Sequence, residues 1–174
     1  MIVPMRQSLL ALFICSALGF SQMPDLEAQK TAMKKLAFLA GKWSGDATAQ
    51  QRGPEPVKIA QTEDIQFRLD GLILLIEGTG RDPVTGKSMF NALGIVNYDD
   101  LKKEYRIKAY NGGRTIEAPF EVSESGFAWA FKTGPADVRN EMKVDEKGMW
   151  IETTTVKIEG RAPFTTVRMS LKKD

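Results

Sequence analysis

The feature that most constrains this chain is its punctuation. From Gly41 onward, turn-forming residues recur about every 8 to 15 residues: Arg52-Gly53-Pro54, Asp70-Gly71, Asp82 to Lys87, Asp99 to Lys103, Asn111-Gly112-Gly113, Ser123 to Gly126, Gly134-Pro135, Asp145 to Gly148 and Gly160. Between them lie short runs rich in Val, Ile, Thr and aromatics. Their β-branched and aromatic content and their alternation make the segments read as strands joined in sequence by hairpins. The intervals predict about ten: 42–50, 56–67, 72–81, 88–98, 104–110, 114–121, 126–132, 137–144, 149–157 and 163–172. So many strands in one sheet would leave exposed edges. Closure into a single antiparallel β-barrel removes them, which makes the predicted fold mainly β.

Two segments precede the strands. Asp25 to Ala40 consists of helix formers without Pro or Gly, with Leu26, Met33, Leu36, Ala37 and Ala40 on one side and Gly41 placed to end it. It predicts one amphipathic helix over 25–40. Residues 1–21 have a basic Arg6, an apolar run from Leu9 to Phe20 and small or polar residues after it. This is the pattern of a signal peptide, and the run is short for a bilayer core of roughly 30 Å. The expectation is export to the periplasm or the outside, with a mature barrel domain over 22–174 and no stable membrane insertion after cleavage. Cys15, the only cysteine, would leave with the leader, and Ile14 before it does not suit lipoprotein processing. The mature domain would therefore be held together without disulfides.

Composition removes several chemistries. There is no histidine, so no Ser-His-Asp or Cys-His site, no HExxH zinc site and no His-ligated haem can form. The sequence assigns no metal, no cofactor and no catalytic residue. A formal charge of +2 lacks the basic excess that draws in polyanions, so nucleic acid is not an expected partner. Oligomeric state is left unassigned. Gly80 to Ser88 resembles a phosphate loop, but its glycines enclose five residues where four are required, and a strand pattern follows instead of a helix.

Alternation within the strands singles out polar residues that share a parity with apolar ones, since a buried polar group must find a partner. Gln61 and Glu63 fall in register with Ile59, Ile65 and Phe67, and Asn140 with Val138, Met142 and Val144. Glu77 falls with Ile73 and Leu75. Glu152 falls with Trp150 and Val156, less distinctly because the opposite parity is similar. With Trp129 as an aromatic wall, Gln61, Glu63, Glu77 and Asn140 form the candidate ligand site. The structural alternative is that Gln61 and Glu63 bond to neighbouring strands or to Arg and Lys near a barrel mouth, with no ligand. The run Leu72 to Ile76, apolar on both faces, is expected to pack into the barrel on one side and under the helix on the other.

The segment Leu36 to Ala47 carries helix end, Gly41-x-Trp43-x-Gly45 and first strand. It resembles the opening of calycin-type barrels, and the resemblance implies that Trp43 plugs one barrel end while Gly41 and Gly45 allow close packing around it. With Gln61-Thr62-Glu63, Leu74 to Gly78, Gly80 to Pro83, Ala92 to Gly94 and Tyr105 to Tyr110, the chain resembles an uncharacterised bacterial family of exported lipocalin-like domains. Nitrobindin-like barrels share the opening but hold haem through a histidine that is missing here. Fatty-acid-binding proteins use Arg-x-Tyr in the last strand, where this chain has Arg168-Met169-Ser170.

Three functions fit these readings. The first is non-catalytic binding of a small apolar or amphipathic ligand inside the barrel. The second is an enzyme using Glu63 or Glu77 as base beside a cation such as Arg106. The third is a structural or interaction module whose barrel is filled by side chains.

Overall fold

The computed structural model describes residues 23–174 apart from Arg52 and Pro54. The expected leader and Cys15 lie outside the described residues. Ten strands form: β1 (Gly41–Ala49), β2 (Val57–Arg68), β3 (Ile73–Arg81), β4 (Ser88–Asp99), β5 (Glu104–Asn111), β6 (Arg114–Val122), β7 (Gly126–Thr133), β8 (Ala136–Val144), β9 (Trp150–Ile158) and β10 (Phe164–Lys173). Each pairs antiparallel with its sequence neighbours, and β1 also pairs with β10, which closes the barrel. Closure depends on Gly45. A Cβ there would stand 2.3 Å from the backbone oxygen of Ser170, so only glycine lets the first and last strands meet at this register.

The predicted helix divides into two windings. An α-helix α1 (Leu26–Met33), capped by the Asp25 carboxylate accepting from the Ala28 amide at 2.9 Å, passes into a 3₁₀ segment over Lys34–Leu39. The reason lies in the spacing of the apolar residues. Met33, Leu36 and Leu39 are three apart and all fully buried, and three residues per turn align such a stripe on one side where an α-helix would rotate it away. Gly41 then turns the chain into β1 at φ +122°, a backbone conformation that favours glycine.

The helix lies across the barrel end where β4 passes into β5. There Asp100 accepts from the Asp25 amide and the Gln29 side chain, each at 2.7 Å, and the Tyr105 hydroxyl donates to the Ala32 carbonyl at 2.7 Å. This placement corrects the expectation for Leu72 to Ile76. Leu74 does pack inside, but Ile73 and Leu75 stay half-exposed on the outer wall, where Leu75 pairs with Ile95, and the helix packs against β4.

Beneath the helix the barrel is packed solid. Leu36, Leu39, Trp43, Ile65, Leu74, Val96, Phe120, Trp150 and Leu171 join in one buried cluster. Trp43 donates its indole N–H to the Leu39 carbonyl at 2.8 Å, meets Trp150 edge-on at 5.5 Å and carries the Lys173 ammonium over its ring. No helix among the described residues is long and apolar enough to cross a membrane.

Candidate functional site

Toward the opposite end, where the loops 50–56, 82–87, 112–113, 134–135 and 159–163 join the strands, the interior side chains shrink. Ala47 and Ala49 on β1, Gly78 on β3, Ala92 and Gly94 on β4 and Ala109 on β5 all face inward. The space they leave is a cavity of about 340 Å³. Ile59, Ile76, Ile107, Phe127, Trp129 and Val138 contribute much of its apolar wall. Two further hollows, near Arg139 and near Glu77, are open grooves on the outer wall.

Five polar side chains face the cavity from β2, β8 and β9: Gln61, Glu63, Asn140, Glu152 and Thr154. Gln61 and Glu63 are 2% and 6% exposed, as the alternation of β2 predicts. The Gln61 amide nitrogen donates to one Glu63 oxygen at 2.8 Å. The two residues lie opposite inward glycines, Gln61 beside Gly80 and Glu63 beside Gly78. A Cβ at position 78 would stand 2.9 Å from both Glu63 oxygens, and one at 80 would stand 2.8 Å from the Gln61 carbonyl oxygen. The glycines of β3 thus make the recess in which this pair sits. Across the cavity, Glu152 accepts from the Trp150 indole N–H at 2.9 Å, and Asn140 accepts from the Thr154 hydroxyl at 2.7 Å.

Neither carboxyl meets a cation, since no Lys or Arg lines the cavity among the described residues. Burial therefore governs their protonation. It pushes Glu63 from the ordinary 4.5 up to about 8, aided by the charge of Glu152 and opposed by the hydrogen bond from Gln61. Burial likewise raises Glu152 to about 7, against the stabilising indole N–H. Glu152 keeps partial solvent contact only because it faces the cavity. Near neutral pH the two groups share between them at most about one negative charge that is readily gained or lost.

The structure brings Gln61, Glu63, Trp129 and Asn140 to one cavity. Glu77 is corrected: its side chain is exposed on the outer wall, because on β3 the inward parity is Leu74, Ile76, Gly78 and Gly80. The run 72–76 is apolar on both faces, so hydrophobicity alone does not fix its parity; the glycines opposite Gln61 and Glu63 do. Glu152, the less distinct member of the sequence reading, is the second interior carboxyl. Arg106 lies on the outer wall and pairs with Glu104 at 3.1 Å, so it does not meet Glu63 to form the expected base-and-cation pair. Trp43 belongs to the packed end, with Gly41 and Gly45 beside it.

A closed ten-strand antiparallel barrel, capped by a helix at one end and hollow toward the other, is a calycin-like fold. The chain is similar in structure to Rv2717c from M. tuberculosis, with a TM-score of 0.61 and 11% identity over 82% of this chain and 97% of that one. It is also similar to the S-type phycobiliprotein lyase CPES from Guillardia theta, with a TM-score of 0.57 and 10% identity over 82% and 92% of the two chains. Identities this low establish the fold alone. No family model and no curated protein matches the sequence.

Proposed function

We propose that this protein is an exported barrel that binds a small amphipathic molecule in its cavity without transforming it. The observation that carries the reading is the hollow itself. A barrel that served only as a structural module would fill both halves alike, whereas here inward glycines and alanines hold open about 340 Å³ beside buried polar groups. At roughly 30 Å³ per water, that is room for about eleven waters, or a ligand of comparable size. The apolar wall and the few fixed polar groups suit a molecule with a greasy body and one polar head.

Kinship to a bacterial family of exported lipocalin-like domains is part of the proposal and rests on the motifs from Leu36 to Tyr110. Export rests on the leader pattern of residues 1–21. That a structural neighbour is a phycobiliprotein lyase is compatible with a binding barrel and does not name this chain's ligand.

Native mass spectrometry of the protein purified from its own host tests the reading. The expected spectrum shows a bound small molecule that leaves on denaturation. A barrel that arrives empty and takes up nothing from a host extract would overturn it.

A further inference from the structure

The polar groups of the cavity are unbalanced in a way that specifies a ligand's charge. Counting hydrogen bonds among the described residues, the Gln61 carbonyl oxygen, one oxygen of Glu63 and one oxygen of Glu152 accept from no protein donor. Gln61 and Glu63 are both more than nine-tenths buried and both line the cavity. The elements packed around Glu63 do not supply a counter-charge. β1 presents Trp43, Gly45 and Ala47 inward, β3 presents Gly78 and Gly80, and β10 presents Met169 and Leu171. The titratable groups of the cavity wall are Glu63, Glu152 and Tyr110, the last at the rim.

Buried carboxylates are ordinarily matched by a cation. Three acceptor oxygens without donors, facing one apolar chamber from β2 and β9, are the complement of a group that brings both N–H bonds and positive charge. A metal ion answers less well. Calcium takes six to eight oxygens, the wall has too few, and no three acidic or other ligating side chains gather among the described residues. An anionic head, such as a fatty acid's, would meet carboxyl groups and no cation at all.

We propose that the cavity binds a small organic cation, its ammonium head between Glu63 and Glu152 with Gln61 accepting one N–H, and its apolar body against Ile107, Phe127 and Trp129. This rests on the binding-barrel reading and adds the ligand class to it. Uptake of the cation draws both carboxyls into their charged forms, so binding releases protons whenever the empty site holds them.

Calorimetric titration of the full chain, freed of any co-purified ligand, tests this with three probes of similar size: 2-phenylethylammonium, 2-phenylethanol and 3-phenylpropionate. At pH 8.5 the ammonium is expected to bind at least about tenfold more tightly than the alcohol, with the propionate weakest. Between pH 6 and 8.5 its affinity should rise by more than about a hundredfold, as both carboxyls give up protons while an aliphatic amine keeps its own. Glu152→Gln should make that rise about tenfold smaller, and Glu77→Gln on the outer wall should leave it intact. Near-ultraviolet circular dichroism confirms that each variant retains the native fold.

Equal binding of the alcohol and the ammonium, or preference for the propionate, would overturn the cation assignment and leave the binding barrel standing. Failure of all three to bind, with an empty native spectrum, would remove both.

Discussion

The two halves of this barrel share the same ten strands and the same alternation, yet one is solid and the other hollow. In the helix-capped half the inward positions carry Trp43, Ile65, Leu74, Val96, Phe120 and Leu171, and Met33, Leu36 and Leu39 close the end. In the loop half Ala47, Ala49, Gly78, Gly80, Ala92 and Ala109 stand among larger residues such as Ile59, Trp129 and Val138. Stability and cavity are thus divided along the barrel axis by side-chain volume alone. The packed half supplies the burial that holds the fold, which leaves the other half free to keep groups that a core would not tolerate.

The sharpest break of that comparison is to remove one tryptophan from each half. Trp43→Ala opens a void in a closed cluster and strands the Leu39 carbonyl, so unfolding by denaturant should show a loss of about 3–5 kcal/mol. Trp129→Ala enlarges a cavity that already exists and removes a half-buried ring, and should lose less than about 2 kcal/mol. Equal losses would mean that the hollow half contributes to the core after all.

How much of this division is legible in the sequence differs from strand to strand. The ten strand ends fall within one residue of their predicted positions because the turns are chemically explicit: Gly86, Gly112, Gly113, Gly134, Gly148 and Gly160 all adopt positive φ. The parity of β2 is legible because its apolar residues stand on one face, and it places Gln61 and Glu63 correctly. On β3, Ile73 and Leu75 are apolar and face outward, so the same rule turned Glu77 inward. The missed signal was volume, since glycines at 78 and 80 mark where another side chain needs room. Glu152 was indistinct for a related reason: Ile151 on the opposite parity is as apolar as its inward neighbours. The division of the helix lies in the three-residue spacing of Met33, Leu36 and Leu39, which suits a 3₁₀ winding and which an α-helical period leaves off a single line.

The next prediction separates the halves by pH. Unfolded, Glu63 titrates near its ordinary 4.5; folded, it holds its proton up to about 8. Between those values the folded state keeps a proton that the unfolded state has lost, so each rise in pH favours unfolding. The stability tied to this proton is complete below about 4.5 and is lost as pH climbs through about 8. Glu63→Gln removes that dependence. At pH 8.5 the variant should be more stable than the parent by a few kcal/mol, and near pH 4 about equal to it, in urea unfolding at the two pH values. The slope that remains belongs to Glu152 and should end near pH 7. Substitutions in the packed half should change stability by the same amount at both pH values. A Glu63→Gln variant with the parent's pH slope would show that the carboxyl is solvated and the hollow half is open to water.

The smallest effect tests whether the helix belongs to the packed half or merely rests on it. The polar attachments of α1 itself are few among the described residues: the Asp100 carboxylate at its N-terminal end and the Tyr105 hydroxyl on the Ala32 carbonyl near its C-terminal end. The Tyr105 ring also meets Tyr98 edge-on at 4.9 Å, so Tyr105→Phe keeps the packing and deletes only the hydroxyl. Ala32 precedes the 3₁₀ segment, and its carbonyl already accepts from the Lys34 amide. Losing the second donor should therefore lower global stability by about 1 kcal/mol or less. If Met33, Leu36 and Leu39 hold the helix as core residues do, hydrogen exchange in α1 should accelerate only in step with that global change. If α1 amides exchange far faster than the strands beneath them, the helix opens as a separate unit, and the closed end of the barrel is closed less firmly than its burial implies.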